Sequence, residues 1–231
     1  MIRAIILAAG TGSRMQNVTP KQFIKINDKE LMIYSLETFA STSEIDEIIV
    51  VTSKEFISKV KSLISFYKIS KVRDVIVGGS SRQESVFNAL KYLRENGANK
   101  DDFILIHDSA RALVSKEIIL NNILSLNEHE GVNTVIPATD SIITSKDGQF
   151  ISSLCKRSEL YLSQTPQSFK FSVIYKAHEN IKNLKDFEIT DDCSLVLKLG
   201  KEVYLVQGDK LNFKVTTKED LLFLKTILDN K

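Results

Sequence analysis

Met1-Ile2-Arg3-Ala4-Ile5-Ile6-Leu7-Ala8-Ala9-Gly10-Thr11-Gly12-Ser13-Arg14-Met15 opens the chain, and its reading decides the fold. Ala4 to Leu7 is a short apolar run rich in β-branched residues, as a buried strand should be. It breaks directly into a glycine loop. An apolar run of about five residues is too short for a signal-peptide core, and it meets glycines instead of a cleavage site. A buried strand delivering a glycine turn is the first half of a strand–helix unit.

The same kind of run recurs downstream, at Glu47 to Val51, Val75 to Val77, Phe103 to Ile106, Thr134 to Pro137 and Val203 to Val206. These runs are apolar throughout, which predicts strands covered on both faces. Helical periodicities lie between them. Met32, Leu36, Phe39 and Ala40 share one face, as do Val86, Ala89, Leu90 and Leu93. Leu221, Leu224 and Leu228 mark a last helix, started by Thr217 with Glu219 and Asp220 in its first turn. Strand–helix alternation predicts an α/β fold: a three-layer, Rossmann-like, mostly parallel sheet with helices on both faces. Residues 1–231 are expected to form one domain. The alternation fails from Asp140 to Gln164. There, Ser141 to Thr144 and Gln149 to Leu154 flank Ser145-Lys146-Asp147-Gly148, and Asp-Gly between extended stretches predicts a hairpin. Taken alone, those residues fit either an edge hairpin of the main sheet or an arm that packs on a second subunit, because a lone hairpin is marginal in water.

Composition narrows the function. Lysine plus arginine is 31 and aspartate plus glutamate is 29, a net charge of +2. Such a balance gives no electrostatic basis for nucleic-acid binding, so any phosphate must be held by a few placed cations. Cys155 and Cys193 are the only cysteines and form no C-x-x-C pair, which argues against a zinc site. Two free thiols suit a reducing compartment. No stretch approaches the ~20 apolar residues of a membrane span. The expectation is a soluble, cytoplasmic protein.

The first glycine loop is not a dinucleotide fingerprint, because the third glycine position is Met15 and the second strand ends in Val51-Thr52-Ser53 with no acid for a ribose. Nor does it run into a Gly-Lys-Ser/Thr, as a Walker loop requires. The loop leads instead to Arg14, then to Lys21 behind Pro20. Two cations beside a glycine turn at the C-terminal end of a strand suit a triphosphate: arginine grips two oxygens and lysine supplies a point charge. Gly78-Gly79-Ser80-Ser81-Arg82-Gln83-Glu84-Ser85 comes after the third strand and opens a helix. It is either a second donor-rich nucleotide loop or a glycine turn with a serine cap. His107-Asp108-Ser109-Ala110-Arg111 ends the fourth strand, as active-site groups or as a structural ion pair. His107 reads as a buried, hydrogen-bonded side chain.

Leu7-Ala8-Ala9-Gly10-Thr11-Gly12-Ser13-Arg14-Met15 with Pro20-Lys21-Gln22-Phe23 resembles the signature of the sugar- and polyol-phosphate nucleotidyltransferases, in their cytidylyltransferase branch. That branch includes the methylerythritol 4-phosphate and ribitol 5-phosphate cytidylyltransferases. Gly78 to Ser85, His107 to Arg111, Gln164-Thr165-Pro166-Gln167-Ser168-Phe169, Thr190-Asp191-Asp192 and Gly208 to Thr216 continue the resemblance over the chain. Two positions depart from the family pattern: Ser80 stands where many members have aspartate, and Ala112 where they have proline.

The resemblance implies CTP as donor, a polyol phosphate as acceptor and a divalent cation, Mg2+. It assigns Arg14, Lys21, Arg157 and Lys214 to catalysis. Ala8, Ala9, Gly10, Thr11, Gly12, Gly79 and Ser85 fall to the nucleotide. Asp108, Arg111, Ser141, Arg157, Thr190 and Lys214 fall to the acceptor. It assigns no metal ligand to a side chain. It implies a nucleotidyltransferase domain over 1–231 with a β-arm at about 139–164 that joins a homodimer and carries Arg157 to the partner's site. Methylerythritol 4-phosphate is the favoured acceptor, with ribitol 5-phosphate as the alternative. A non-catalytic nucleotide-binding module is the reading from another class; CTP binding without turnover would mark it.

Overall fold

The computed structural model describes residues 1–10, 19–183 and 191–230. Strand β1 (Ile2–Leu7) is followed by a short 3-10 turn at Lys21–Phe23, then β2 (Lys25–Ile26), β3 (Lys29–Glu30) and helix α1 (Leu31–Ala40). Next come β4 (Glu47–Thr52), α2 (Ile57–Phe66), β5 (Val72–Val77), α3 (Arg82–Glu95), β6 (Phe103–Asp108) and α4 (Lys116–Ser125). The chain continues through β7 (Gly131–Pro137), β8 (Ile143–Thr144), β9 (Ser153–Leu154), β10 (Tyr161–Lys170) and α5 (Phe171–Glu179). It ends with α6 (Asp192–Lys198), β11 (Tyr204–Gln207) and α7 (Lys218–Asp229).

Seven strands form one sheet in the order β11-β7-β10-β6-β1-β4-β5. Only β10 runs against its neighbours β6 and β7. Period two along β1 sorts the core. Ala4, Ile6 and Ala8 face one layer, with Leu36 and Phe39 of α1, Val60 of α2 and Ile119 of α4. Ile5 faces the other, with Val86, Ala89, Leu90 and Leu93 of α3, Ile174 of α5 and Val196 of α6. Burial of both faces is what makes the central strands read as unbroken apolar runs. All four residues on each expected face of α1 and α3 are buried. In α7, Leu224 is buried while Leu221 and Leu228 are partly so, and Thr217 caps the helix in a reciprocal box with Asp220.

Three expectations need correction. Coverage on both faces does not extend to the sheet edges. Strand β5 keeps only Val75 fully buried and β11 only Val206, because each has a neighbour on one side alone. The predicted hairpin is shorter than its extended stretches, with two paired residues on each side. Asp147 explains this: its Oδ1 accepts from the N–H groups of Gln149 and Phe150, which removes them from a ladder. Finally, β10 is a strand that periodicity does not predict. Pro166 interrupts it, the peptide from Thr165 to Pro166 is cis, and the pairing with β7 shifts register between Ser163 and Gln167. A proline mid-run argues against a central strand unless a bulge takes it up, as here.

The sheet reverses direction at β1, which pairs with β4 on one side and β6 on the other. Strands β4 and β5 extend to one edge, while β6 starts the march to the other. Loops leaving β1 and β6 therefore part and open a crevice at their carboxyl ends. No described helix is long and apolar enough to cross a membrane.

Candidate active site

The crevice at the switch point is a cleft of about 280 Å³. One wall is Leu7 to Gly10, leaving β1; another is Gly79 to Arg82 with Ser85, between β5 and α3. Asp108, Ser109 and Ala110 form the end of β6, and Lys21, Gln22 and Lys214 close the rim. Backbone bonds fix these walls. Ala8 N–H donates to Val51 O (2.7 Å), Ser109 N–H to Leu7 O (3.0 Å) and Val215 N–H to Ala110 O (2.9 Å).

The loop after β5 is tied by its own polar groups. Gly79 N–H donates to Ser85 Oγ (3.0 Å), and that hydroxyl donates to Ser81 O (2.8 Å). Ser81 Oγ in turn caps α3 by accepting from Glu84 N–H (3.1 Å). Ser80 is held by Glu84 Oε2 through both its N–H and its hydroxyl, each at 2.7 Å. Gly78 is required by packing: a Cβ there would stand 2.9 Å from Ser85 Oγ and 3.1 Å from Ala9 Cβ.

Three cations and one carboxylate line the described cleft, so its field favours anions. Lys214 Nζ lies 2.7 Å from Asp108 Oδ2. Arg82 Nε lies 3.6 Å from Asp108 Oδ1, and its Nη1 lies 2.7 Å from Asp192 Oδ2. That second approach is a charge contact without hydrogen-bond alignment. Lys21 Nζ donates to Val215 O (3.3 Å), so Lys21 and the Lys214 loop meet at the rim. Burial opposes ionisation of Asp108, but Arg82 and Lys214 override it and hold the carboxyl well below the usual range. Burial likewise opposes the charge on Arg82, and Asp192 and Asp108 reverse that, raising its pKa.

Behind the cleft, His107 is fully buried. Its Nε2 faces Arg111 O (3.2 Å) and its Nδ1 faces Thr165 Oγ1 (3.0 Å). A carbonyl can only accept, so Nε2 carries the proton and Nδ1 takes the Thr165 hydroxyl. Burial pushes the ring's pKa down to about 4. This histidine is a neutral brace, in line with its sequence reading.

The structure brings Ala8, Ala9, Gly10, Lys21, Gly79, Ser85, Asp108 and Lys214 to one cleft. Arg14, Thr11, Gly12 and Thr190 lie outside the described residues. Arg111 is not part of the cleft wall. Its guanidinium donates to Asn212 O (2.8 Å) and Ser163 O (3.3 Å), bracing the loop that carries Lys214. Ser141 and Arg157 are exposed beside the hairpin and do not line the cleft of their own chain. Arg157 Nη1 reaches Thr139 O at 3.4 Å.

Arg82 and its partner Asp192 are the residues that sequence reasoning passed over. One signal was present. A cation at the first position of α3 sits at the positive end of the helix dipole and needs a dedicated carboxylate.

Residues 2–230 match the family described as IspD, 2-C-methyl-D-erythritol 4-phosphate cytidylyltransferase. Solved structures agree over nearly the whole chain. A 4-diphosphocytidyl-2C-methyl-D-erythritol synthase from Anaerococcus prevotii aligns with a TM-score of 0.84 at 29% identity, covering 99% of this chain and 96% of that one. A second structure of a 4-diphosphocytidyl-2C-methyl-D-erythritol synthase gives 0.80 at 30% identity, covering 98% of each chain. The Francisella tularensis 2-C-methyl-D-erythritol 4-phosphate cytidylyltransferase gives 0.80 at 27%, covering 97% of this chain and 98% of that one. With the switch-point cleft and its cations, the match makes this chain a member of the IspD family of 2-C-methyl-D-erythritol 4-phosphate cytidylyltransferases.

Proposed function

We propose that the cleft transfers the cytidylyl group of CTP to 2-C-methyl-D-erythritol 4-phosphate, giving 4-diphosphocytidyl-2-C-methyl-D-erythritol and pyrophosphate. The observation that carries this reading is the meeting of Lys21, Arg82 and Lys214 in one cleft at the switch point, the last two facing Asp108. An oxygen of the acceptor phosphate attacks the α-phosphorus of CTP in line, and the bond to the pyrophosphate oxygen breaks. The attacking oxygen is already anionic, so no general base is needed. Repulsion between two anions is the obstacle, and placed cations reduce it.

In this reading Ala8, Ala9, Gly10, Gly79 and Ser85 form the nucleotide wall, with Thr11 and Gly12 next to it in sequence. Lys21 and Arg14 stabilise charge on the triphosphate. Lys214 takes the acceptor phosphate, with Asp108, Arg111 and Thr190 on the acceptor side. We assign Ser141 and Arg157 to the acceptor site of a second copy. The hairpin's exposed side chains support an intersubunit arm, with Phe150 73% and Leu154 78% exposed.

A divalent cation, Mg2+, is expected to accompany the triphosphate, where it neutralises phosphate charge and keeps much of its water. Among the described residues, no three His, Cys, Asp or Glu side chains stand together as a metal site. Asp108, the one acid lining the described cleft, is paired with Lys214. This donor set does not fit a magnesium held by protein alone, so no step is derived through one. Cys155 and Cys193 are free thiols, and we assign the enzyme to the cytoplasm.

Pyrophosphate release from CTP tests the reading, with methylerythritol 4-phosphate and ribitol 5-phosphate compared at equal concentration. Faster turnover of methylerythritol 4-phosphate is expected. Preference for ribitol 5-phosphate would reassign the acceptor, and CTP binding without release in either arm would reject the enzyme.

A further inference from the structure

We infer that Arg82 is a positioning residue for the transfer reaction, holding Asp108 in the place from which that carboxylate aims Lys214 at the acceptor phosphate. This rests on the proposed role of Lys214 as the cation that takes that phosphate. Four side chains from four parts of the chain alternate in charge: Asp192 of α6, Arg82 of α3, Asp108 ending β6, and Lys214 ahead of α7.

The outer end of the series is fixed. Asp192 is fully buried, its Oδ1 faces His178 Nε2 at 3.0 Å, and its N–H donates to Gln167 Oε1 at 3.0 Å. Arg82 leans from that anchor toward the cleft it lines. Asp108 thereby has one oxygen toward each of two cations, Oδ1 toward Arg82 and Oδ2 toward Lys214. Sharing its charge between them keeps Asp108 from binding Lys214 alone. Without Arg82, the lysine would be left as the one ion-pair partner of a buried carboxylate among the described residues, and an incoming phosphate would have to compete for it.

A simple anchoring role for Arg82, tying α6 to α3, makes a different prediction. Anchoring loss weakens both substrates together and does not depend on Asp108. The test is steady-state kinetics of Arg82→Gln, Asp108→Asn and their combination. Arg82→Gln is expected to lower kcat/KM for methylerythritol 4-phosphate by about tenfold or more, with the KM for CTP changed by less than about threefold. In the Asp108→Asn background most of that effect should vanish, since the residue through which Arg82 acts is already neutral. Arg82→Lys should recover part of the loss.

Independent, multiplying losses in the combined variant would overturn the inference, and so would equal losses toward both substrates. Because Arg82→Gln leaves Asp192 buried without its cation and can cost the fold, Arg82→Gln/Asp192→Asn is the second arm. It should show the same acceptor-selective loss, and normal acceptor kinetics there would also overturn the inference. Wild-type turnover is measured first: its absence rejects the functional reading and this inference with it, whereas a result confined to the variants bears on Arg82 alone.

Discussion

Lys214 and Lys21 are each a single charge whose loss has a readable consequence. Lys214 sits between Asp108 and the open cleft, so Lys214→Ala should raise the acceptor KM and lower kcat, with CTP binding largely kept. Lys21→Ala should lower kcat by on the order of 10²–10³, the loss seen when one preorganised donor to a developing anion is removed. Near-normal turnover of Lys21→Ala with good CTP binding would contradict its role. His107 gives a prediction in pH. Its pKa is about 4 in the fold, against an ordinary value of 6.5, so the unfolded chain takes up the proton first. Stability from its neutral form is full above pH 6.5 and lost as pH falls toward 4, on the order of 3 kcal/mol in all. Asp108 and Asp192, whose carboxyls are held down, lose their contributions only below that window, as pH falls past about 4. Urea unfolding from pH 7 to 4 should therefore show a steady decline that is shallower in His107→Gln; equal slopes would remove His107 as its source. Lys21 and Asp108 could be singled out because they stand beside a glycine loop and at a strand end, where ligands bind; Lys214 came only from the family resemblance, since a lone lysine before a helix otherwise reads as surface. Arg82 was not legible, because what defines it is Asp192, far downstream in sequence and brought near only by the packing of α6 beside α3.

At the scale of elements, periodicity in sequence tracked burial and failed where burial is unequal. Central strands and the inner faces of α1 and α3 could be read because both faces of the sheet are covered. Strand β10 could not, since its pairing with β7 crosses a proline only through a register shift and its pairing with β6 begins after that proline. The hairpin was legible as a hairpin, but its length was not, because the Asp147 side chain competes for backbone donors. Its exposed Ile143, Phe150, Ile151 and Leu154 have little to pack on within a two-residue ladder. An arm of this kind gains stability by burying those side chains against a second copy, at about 25 cal/mol per Å² of apolar surface. Sedimentation should therefore find a dimer for the wild-type chain and a shift toward monomer for Ile151→Asp/Leu154→Asp. If Arg157 serves the neighbouring cleft, acceptor kcat/KM should fall with dissociation and recover as protein concentration rises. A dimer unchanged by the double substitution would reject the arm as the interface.

The whole molecule is arranged so that one point, the carboxyl ends of β1 and β6, collects chemistry from parts of the chain far apart in sequence. Three elements converge there on Gly78. A Cβ at that position would lie 2.9 Å from Ser85 Oγ of α3, 3.1 Å from Ala9 Cβ beyond β1 and 3.2 Å from Val51 Cγ1 of β4. The close stacking of α3 on the two strands thus depends on an absent side chain. Ser85 cannot simply rotate aside, because its hydroxyl accepts from Gly79 N–H and donates to Ser81 O. Gly78→Ala must push the N-terminus of α3 outward or break those two bonds. Overpacking of this kind costs about 1–3 kcal/mol. Its functional cost should fall first on the nucleotide: Gly79 and Ser85 move with α3, whereas Asp108 and Lys214 belong to β6 and the loop before α7 and feel the shift only through Arg82. Gly78→Ala is therefore expected to raise the KM for CTP several-fold, about 1 kcal/mol of binding, with a smaller loss toward the acceptor passed on through Arg82. Lys214→Ala, by contrast, should weaken the acceptor with CTP binding largely kept. Were both substitutions to weaken the acceptor alone, the loop after β5 would not be the nucleotide wall, and the division of the cleft into a donor side and an acceptor side would have to be redrawn.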